Sequence, residues 1–207
     1  MHLIMFDMDG TLVDSSNAIT NTINYVRENL GFQRLEKSYI LEKVNDPSIN
    51  SAEFFYGTQE FTDEQTHLFE EYYNKNCLYD LEVYNGITKL IEDLKDDFTL
   101  AVATNANSDF ARKMLDHVGI EKHFSTILGY DSVVNPKPHP EMVQKILNKH
   151  NIQKENAQLI GDSHKDIMAA TSAGVDSVLV NWGFSDHDNN AIETVAELEK
   201  KIFEKFK

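Results

Sequence analysis

Four aspartates carry most of the chemistry this chain could do: Asp7 and Asp9 near the start, Asp162 and Asp166 far downstream. The first pair follows an unbroken apolar run over residues 3–6, which suits a strand buried on both faces of a sheet. Alternation along an extended segment puts Asp7 and Asp9 on one side. Two like charges so close repel, and such a site needs a cation or a shared proton. Gly10 and Thr11 follow at once. Taken alone, Asp9-Gly10 also reads as a hairpin turn with residues 11–13 as the returning strand.

The elements that must hold these residues follow from hydrophobic periodicity. After Tyr84, helix and strand signals alternate. Ile87, Leu90, Ile91 and Leu94 mark a helix from about Gly86, and residues 98–103 read as a strand ending at Thr104-Asn105. Residues 108–118 predict a helix with Phe110, Met114 and Val118 on one face, and residues 126–130 a short strand. A proline-opened helix follows over residues 138–150, then a strand over 157–160 ending at Gly161-Asp162. A small-residue helix over 167–173, a fifth strand over 177–180 and a terminal helix over 191–206 complete the pattern. This alternation predicts a parallel α/β sheet with helices on both faces.

Residues 14–82 break the alternation and show only helix signals. Ser15 or Ser16 is a candidate cap for a helix carrying Ile19, Ile23, Val26 and Leu30 and stopped at Gly31. Further helices are predicted over 36–44, ended by Asp46-Pro47, over 50–56, and over 62–79 capped at Thr62. The expectation is a small helical insertion at 14–82 within a discontinuous core of residues 1–13 and 83–207.

Ligands in open parallel sheets bind outside the carboxyl ends of the strands. At those ends the chain places Asp7, Asp9, Thr104, Asn105 and Asp162, with Asp166 one helical turn on and Lys137 in an Asn-Pro-Lys-Pro-His-Pro run. Each has an ordinary alternative: Thr104-Asn105 or Asp162 as helix caps, Asp166 as a helix-dipole charge, Lys137 as a surface lysine. Their occurrence at successive strand ends is what points to a site. Flanking prolines also fix the Lys137 backbone, which a solvated lysine does not require. His139 has no evident role beyond helix initiation. A cluster this acidic calls for a divalent cation, and all-oxygen ligands fit Mg2+ better than zinc.

Composition narrows the partners. Nineteen basic against 34 acidic residues give a net charge of −15, which argues against nucleic acid or an anionic membrane as partner. The single cysteine, Cys77, has no internal disulfide partner and reads as packing. No signal-peptide pattern or membrane-length apolar run is present, so a cytoplasmic location is expected.

Asp-Met-Asp-Gly-Thr at 7–11, the apolar strand ending in Thr-Asn at 104–105, Lys-Pro-His-Pro-Glu at 137–141 and Gly-Asp-Ser-His-Lys-Asp at 161–166 together resemble the haloacid dehalogenase-like hydrolase superfamily, close to its phosphoglycolate phosphatase-like branch. The resemblance implies a Rossmann-like core with the 14–82 insertion as its helical cap. It also implies a Mg2+-dependent phosphatase for a small organic phosphate monoester, phosphoglycolate being one candidate. Asp7 would be the nucleophile that forms an aspartyl-phosphate, and Asp9 the acid and then the base. Asp7, the Asp9 carbonyl and Asp162 would hold the metal, with Asp166 orienting them. Thr104, the Asn105 amide and Lys137 would neutralise the transferring phosphoryl group.

Rivals on the same fold are a phosphosugar mutase, for which His67 is the only cap histidine, and a phosphonate hydrolase, for which Lys37 or Lys43 would form a Schiff base. The presence of Asp9 and Asp162 argues against a metal-free dehalogenase, and the presence of Asp7 and Asp9 against a non-catalytic binding protein. Arg34 and Lys43 are available to a substrate carboxylate. The two linkers of the insertion, near Asp14 and at 82–84, suggest a mobile lid that selects small substrates.

Overall fold

The computed structural model describes residues 1–44, 46, 48–184 and 186–206. Two compact units emerge: one from Met1–Asp14 with Glu82–Lys207, the other from Ser15–Leu81.

The first unit is built on a five-stranded sheet of β1 (His2–Phe6), β4 (Phe98–Ala103), β5 (Thr126–Leu128), β6 (Ala157–Gly161) and β7 (Asp176–Leu179), in the order β5-β4-β1-β6-β7. All four pairings are parallel. Strand β1 is therefore central. Leu3, Ile4, Met5 and Phe6 are all 0% exposed, so each contributes about 1.5–3 kcal/mol by burial. Alternation divides them between faces. Leu3 and Met5 join Ala101, Ala103 and Leu159 against Met142, Val143 and Ile146 of α7 (Glu141–His150) and Ala169 and Ala170 of α8 (His164–Ala173). Ile4 and Phe6 point to the opposite face, where Phe6 meets the Phe124 ring edge-on. Helix α5 (Ile87–Leu94) packs on α9 (Val195–Phe206).

Several boundaries differ from the periodicity for physical reasons. Helix α7 begins at Glu141, not at Pro138. Pro140 bars its predecessor His139 from helical geometry, so the helix cannot start until the proline run ends. In α6 (Ser108–His117) the buried face is Ala111, Met114 and Leu115, while Phe110 and Val118 are only half buried. The terminal helix starts at Val195 because Ile192 is drawn into a bridge with Val180. A short ribbon absent from the sequence reading pairs β2 (Val13–Asp14) with β3 (Glu82–Val83), antiparallel, with Val13 opposite Val83 and Asp14 opposite Glu82.

The second unit has no strand among its described residues. It consists of α1 (Ser16–Asn29), α2 (Lys37–Val44), α3 (Ser51–Tyr56) and α4 (Asp63–Asn76). Its core is Ile23, Val26, Ile40, Phe55 and Tyr56. Thr62 and Gln65 form a reciprocal capping box on α4, which stops at Asn76, short of Tyr79. Ser15 occupies the N-cap position of α1 without a side-chain capping bond. Of the Asp46-Pro47 break, Pro47 lies outside the described residues. Cys77 is buried and in no disulfide. Among the described residues, no helix is long and apolar enough to cross a membrane.

Candidate active site

The sheet register brings the carboxyl ends of β4, β1 and β6 side by side, since Phe6 faces both Val102 and Ile160. Asp7 follows directly and its N–H continues the ladder to the Ile160 carbonyl at 2.8 Å. The chain then turns. Met8 offers its carbonyl to the N–H groups of Thr11, Leu12 and Val13, and Gly10 takes a φ of +78°. The strand alternation therefore stops before Asp9. Nor do residues 11–13 return along β1 as a hairpin, because Val13 pairs with Val83.

Lys137 is the centre of the site's charge balance. Its Nζ donates to Asp7 Oδ1 at 2.8 Å and to Asp166 Oδ1 at 2.5 Å. Only 4% of Lys137 and 1% of Asp166 are exposed, so this is no surface ion pair. Burial alone would lower the lysine's pKa, but Asp166 and Asp7 outweigh it and hold the ammonium above its ordinary range. Asp166 is pushed up to about 7, chiefly by burial and further by Asp7, while Lys137 pulls the other way.

Asp166 has a second task. Its Oδ2 accepts from the Ser163 N–H at 3.2 Å, and Ser163 Oγ accepts from the Lys165 N–H at 3.2 Å, which completes a capping box on α8. The cap of α8 is thus Ser163, not Asp162. Gly161 is required beside it, since a Cβ there would lie 2.2 Å from Asp166 Oδ2.

Asp162 is fully buried, and Asp7, Asp162 and Asp166 each offer a carboxylate oxygen within 4.8 Å of the others. Asp9, half buried, is outside that group. Three close carboxylate oxygens beside one ammonium make an all-oxygen donor set that fits a hard divalent cation. Asp166 uses its oxygens on Lys137 and Ser163, which favours Asp7 and Asp162 as the direct carboxylate ligands.

Thr104 is buried after β4, and its Oγ1 accepts from the Ala106 N–H at 3.0 Å. Asn105 is exposed, yet both ends of its side-chain amide bind the backbone of Lys137. Neither residue is the cap of α6; Asn107 is, through the Asp109 N–H at 2.9 Å.

Residues after β7 also reach this place. The Trp182 Nε1 donates to the Thr11 carbonyl at 3.1 Å, and the Phe184 N–H donates to Asp162 Oδ2 at 3.2 Å. A Cβ on Gly183 would fall 2.3 Å from Asp162 Oδ2 and 2.4 Å from the Gly10 carbonyl. The available signal was the chain's one tryptophan next to a glycine, just past the last strand. Tyr84 is a further addition: burial, then the charges of Asp14, Asp162 and Asp9, hold its hydroxyl firmly neutral.

In the helical unit, His67 is exposed. Lys37 is exposed and its Nζ donates to Asn17 Oδ1 at 2.7 Å, while the hydrogen bond to Glu42 outweighs burial and holds Lys43 above its ordinary range, the reverse of what a Schiff-base lysine needs. Arg34 pairs with Glu28 at 2.9 Å.

The model of the haloacid dehalogenase-like hydrolases matches residues 4–180. The chain belongs to this family. It is a hydrolase, and its parallel five-stranded core is the haloacid dehalogenase-like one. A phosphoglycolate phosphatase of Vibrio parahaemolyticus is 28% identical over 88% of this chain and 85% of its own length. A 5'-nucleotidase of Pseudomonas aeruginosa is 28% identical over 89% of this chain and 85% of its own. A crystal structure from Clostridium acetobutylicum, described as a predicted phosphatase, shares the fold at a TM-score of 0.85, with 27% identity and 98% of each chain covered.

Proposed function

We propose that this haloacid dehalogenase-like hydrolase is a Mg2+-dependent phosphatase acting on small organic phosphate monoesters through an aspartyl-phosphate on Asp7. The observation that carries the reading is the Asp7 carboxylate held by the Lys137 ammonium at 2.8 Å, with Asp162 in the same cluster. A carboxylate so placed is oriented for attack, and the charge beside it suits an incoming dianionic group.

Asp7 attacks phosphorus in line, and the bond to the leaving oxygen breaks as the acyl phosphate forms. Asp9 gives that oxygen a proton, then takes one from the water that hydrolyses the intermediate. Lys137, Thr104 and the Asn105 backbone N–H bear on the phosphoryl oxygens. Asp7 and Asp162, with the Asp9 carbonyl, would hold the cation, which when bound would supply charge neutralisation for the transferring group. Asp166 keeps Lys137 and the start of α8 in place.

The relatives support the substrate class: phosphoglycolate and a 5'-nucleotide share a phosphate monoester on a small molecule. The 15–81 helical unit is read as the cap that selects for size, and the protein as cytoplasmic. The deciding experiment is phosphate release from a panel of two- to six-carbon phosphate esters and nucleotides with Mg2+, with mass spectrometry of the quenched enzyme. A phosphorylated peptide containing Asp7 is expected. Turnover with no such species, or no turnover at all, would overturn the reading.

A further inference from the structure

We propose that Asn105 is a positioning residue whose side-chain amide grips the Lys137 backbone and thereby sets where the Lys137 ammonium meets Asp7 and Asp166. The catalytic consequence rests on the phosphatase reading above; the grip itself does not.

The segment carrying Lys137 is short of anchors. Pro136, Pro138 and Pro140 have no N–H, so only Lys137 and His139 can donate from the 136–140 backbone. The His139 N–H turns inward to the Pro136 carbonyl at 3.0 Å. What remains to tie the segment to the sheet is the Lys137 peptide. Asn105 takes both of its polar groups: the Lys137 N–H donates to Asn105 Oδ1 at 3.1 Å, and Asn105 Nδ2 donates to the Lys137 carbonyl at 2.8 Å. A side-chain amide has a donor and an acceptor side by side, so it can match a peptide at both points, as a neighbouring strand would.

Placement gives the grip its use. Asn105 is two residues past the end of β4, which pairs with β1, and Asp7 is the first residue past β1. The clamp thus fixes the lysine backbone to the same rigid sheet edge that carries its carboxylate partner. A lysine side chain alone is too floppy to guarantee contacts of 2.8 and 2.5 Å to two carboxylates. Glu141 braces the same segment upstream, accepting from the Val134 and Asn135 N–H groups at 2.9 and 3.0 Å. The local alternative, a helix cap, is already filled by Asn107.

The test is a double-mutant cycle with one readout independent of turnover. Asn105→Ala should lower kcat by about 10- to 100-fold, the cost of a misplaced catalytic group, with a smaller change in KM. Asn105→Asp keeps the acceptor but loses the donor and should fall between. In a Lys137→Ala background, Asn105→Ala should cost less than about twofold more, because the residue acts through the lysine. A full additional loss there would mean that the Asn105 side chain acts on substrate itself, and would overturn the proposal. Nitrogen NMR of lysine-labelled protein reads the clamp directly. Wild type should show a slowly exchanging Lys137 ammonium signal, assigned by its loss in Lys137→Arg, and Asn105→Ala and Asn105→Asp should shift it or speed its exchange. An unchanged signal in both variants overturns the proposal. If wild type proves inactive on every phosphate ester, the phosphatase reading fails while the NMR comparison still decides the clamp.

Discussion

Lys137 and Asp166 oppose each other at 2.5 Å where almost no solvent reaches, and the same ammonium spans to Asp7 at 2.8 Å. The lysine is a structural keystone as well as a charge. Removing one partner of a buried pair leaves the rest uncompensated, typically at a cost of about 3–5 kcal/mol. Lys137→Met should therefore destabilise the fold by roughly that amount and lower turnover by about 100- to 1000-fold, leaving a measurable residual rate. Urea unfolding at neutral pH checks the first, a coupled phosphate assay the second. Added Mg2+ should recover part of the lost stability, since the three aspartates would then share a cation.

Asp7→Asn should end turnover while the protein stays folded. The amide keeps the size of the side chain and can still accept from Lys137, but it has no oxygen of carboxylate strength to attack phosphorus. Circular dichroism and thermal unfolding should be near wild type, and no phosphorylated species should accumulate. Near-normal kcat in the folded variant would remove Asp7 from its role.

Gly183→Ala tests the wall behind Asp162. The new Cβ would sit 2.3 Å from Asp162 Oδ2 and 2.4 Å from the Gly10 carbonyl, and one of these is backbone. Asp162 must move. Half-maximal activity should then need about 10-fold or more additional Mg2+, in line with losses seen when groups that orient metal ligands are disturbed. Unchanged Mg2+ dependence, or unchanged dependence in Asp162→Ala, would displace the metal from this position.

Asp131 gives a pH prediction away from the site. Burial raises its carboxyl, but the Ser108 hydroxyl and N–H outweigh this and leave it below its ordinary range. A carboxyl lowered in the folded state stabilises above its unfolded pKa, and that stability fades as pH falls through the folded value. Asp131→Asn should thus be less stable than wild type at pH 6, with the gap closing below about pH 3.8. Acid titration of both proteins by circular dichroism reads the difference.

Substrate size is the last expectation. Esters of two- or three-carbon alcohols should be hydrolysed far faster than a phosphoprotein. Equal kcat/KM for the two would rule out the helical unit as a selector.

The sheet was legible because its strands are apolar runs that end abruptly in polar residues, and Asp7, Thr104 and Asp162 mark three of those ends. The division of labour among the polar groups was not. That Asp166 both caps α8 and holds Lys137 depends on two elements meeting, as does the Asn105 grip across 32 residues. Spacing within one helix or strand carries no information on such partners. The roles of Gly183 and Trp182 were hidden for the same reason, although a lone tryptophan beside a glycine past the last strand hinted at their place: their contacts, Asp162, Gly10 and Thr11, come from loops far away in sequence. Proline obscured the start of α7, where composition suggested a helix three residues before geometry allowed one.

The β2–β3 ribbon bears on how the chain folds. To the sheet, residues 15–81 are a loop between β1 and β4, and closing a disordered loop of roughly 70 residues costs about 4 kcal/mol of chain entropy. The cross-strand partners Asp14 and Glu82 bring the two ends of that loop together. If the helices form first from their short-range contacts, their folded unit hands the sheet a pre-closed connection and the cost largely disappears. Insertion of a whole helical unit then slows the pairing of β1 with β4 little more than a hairpin turn would.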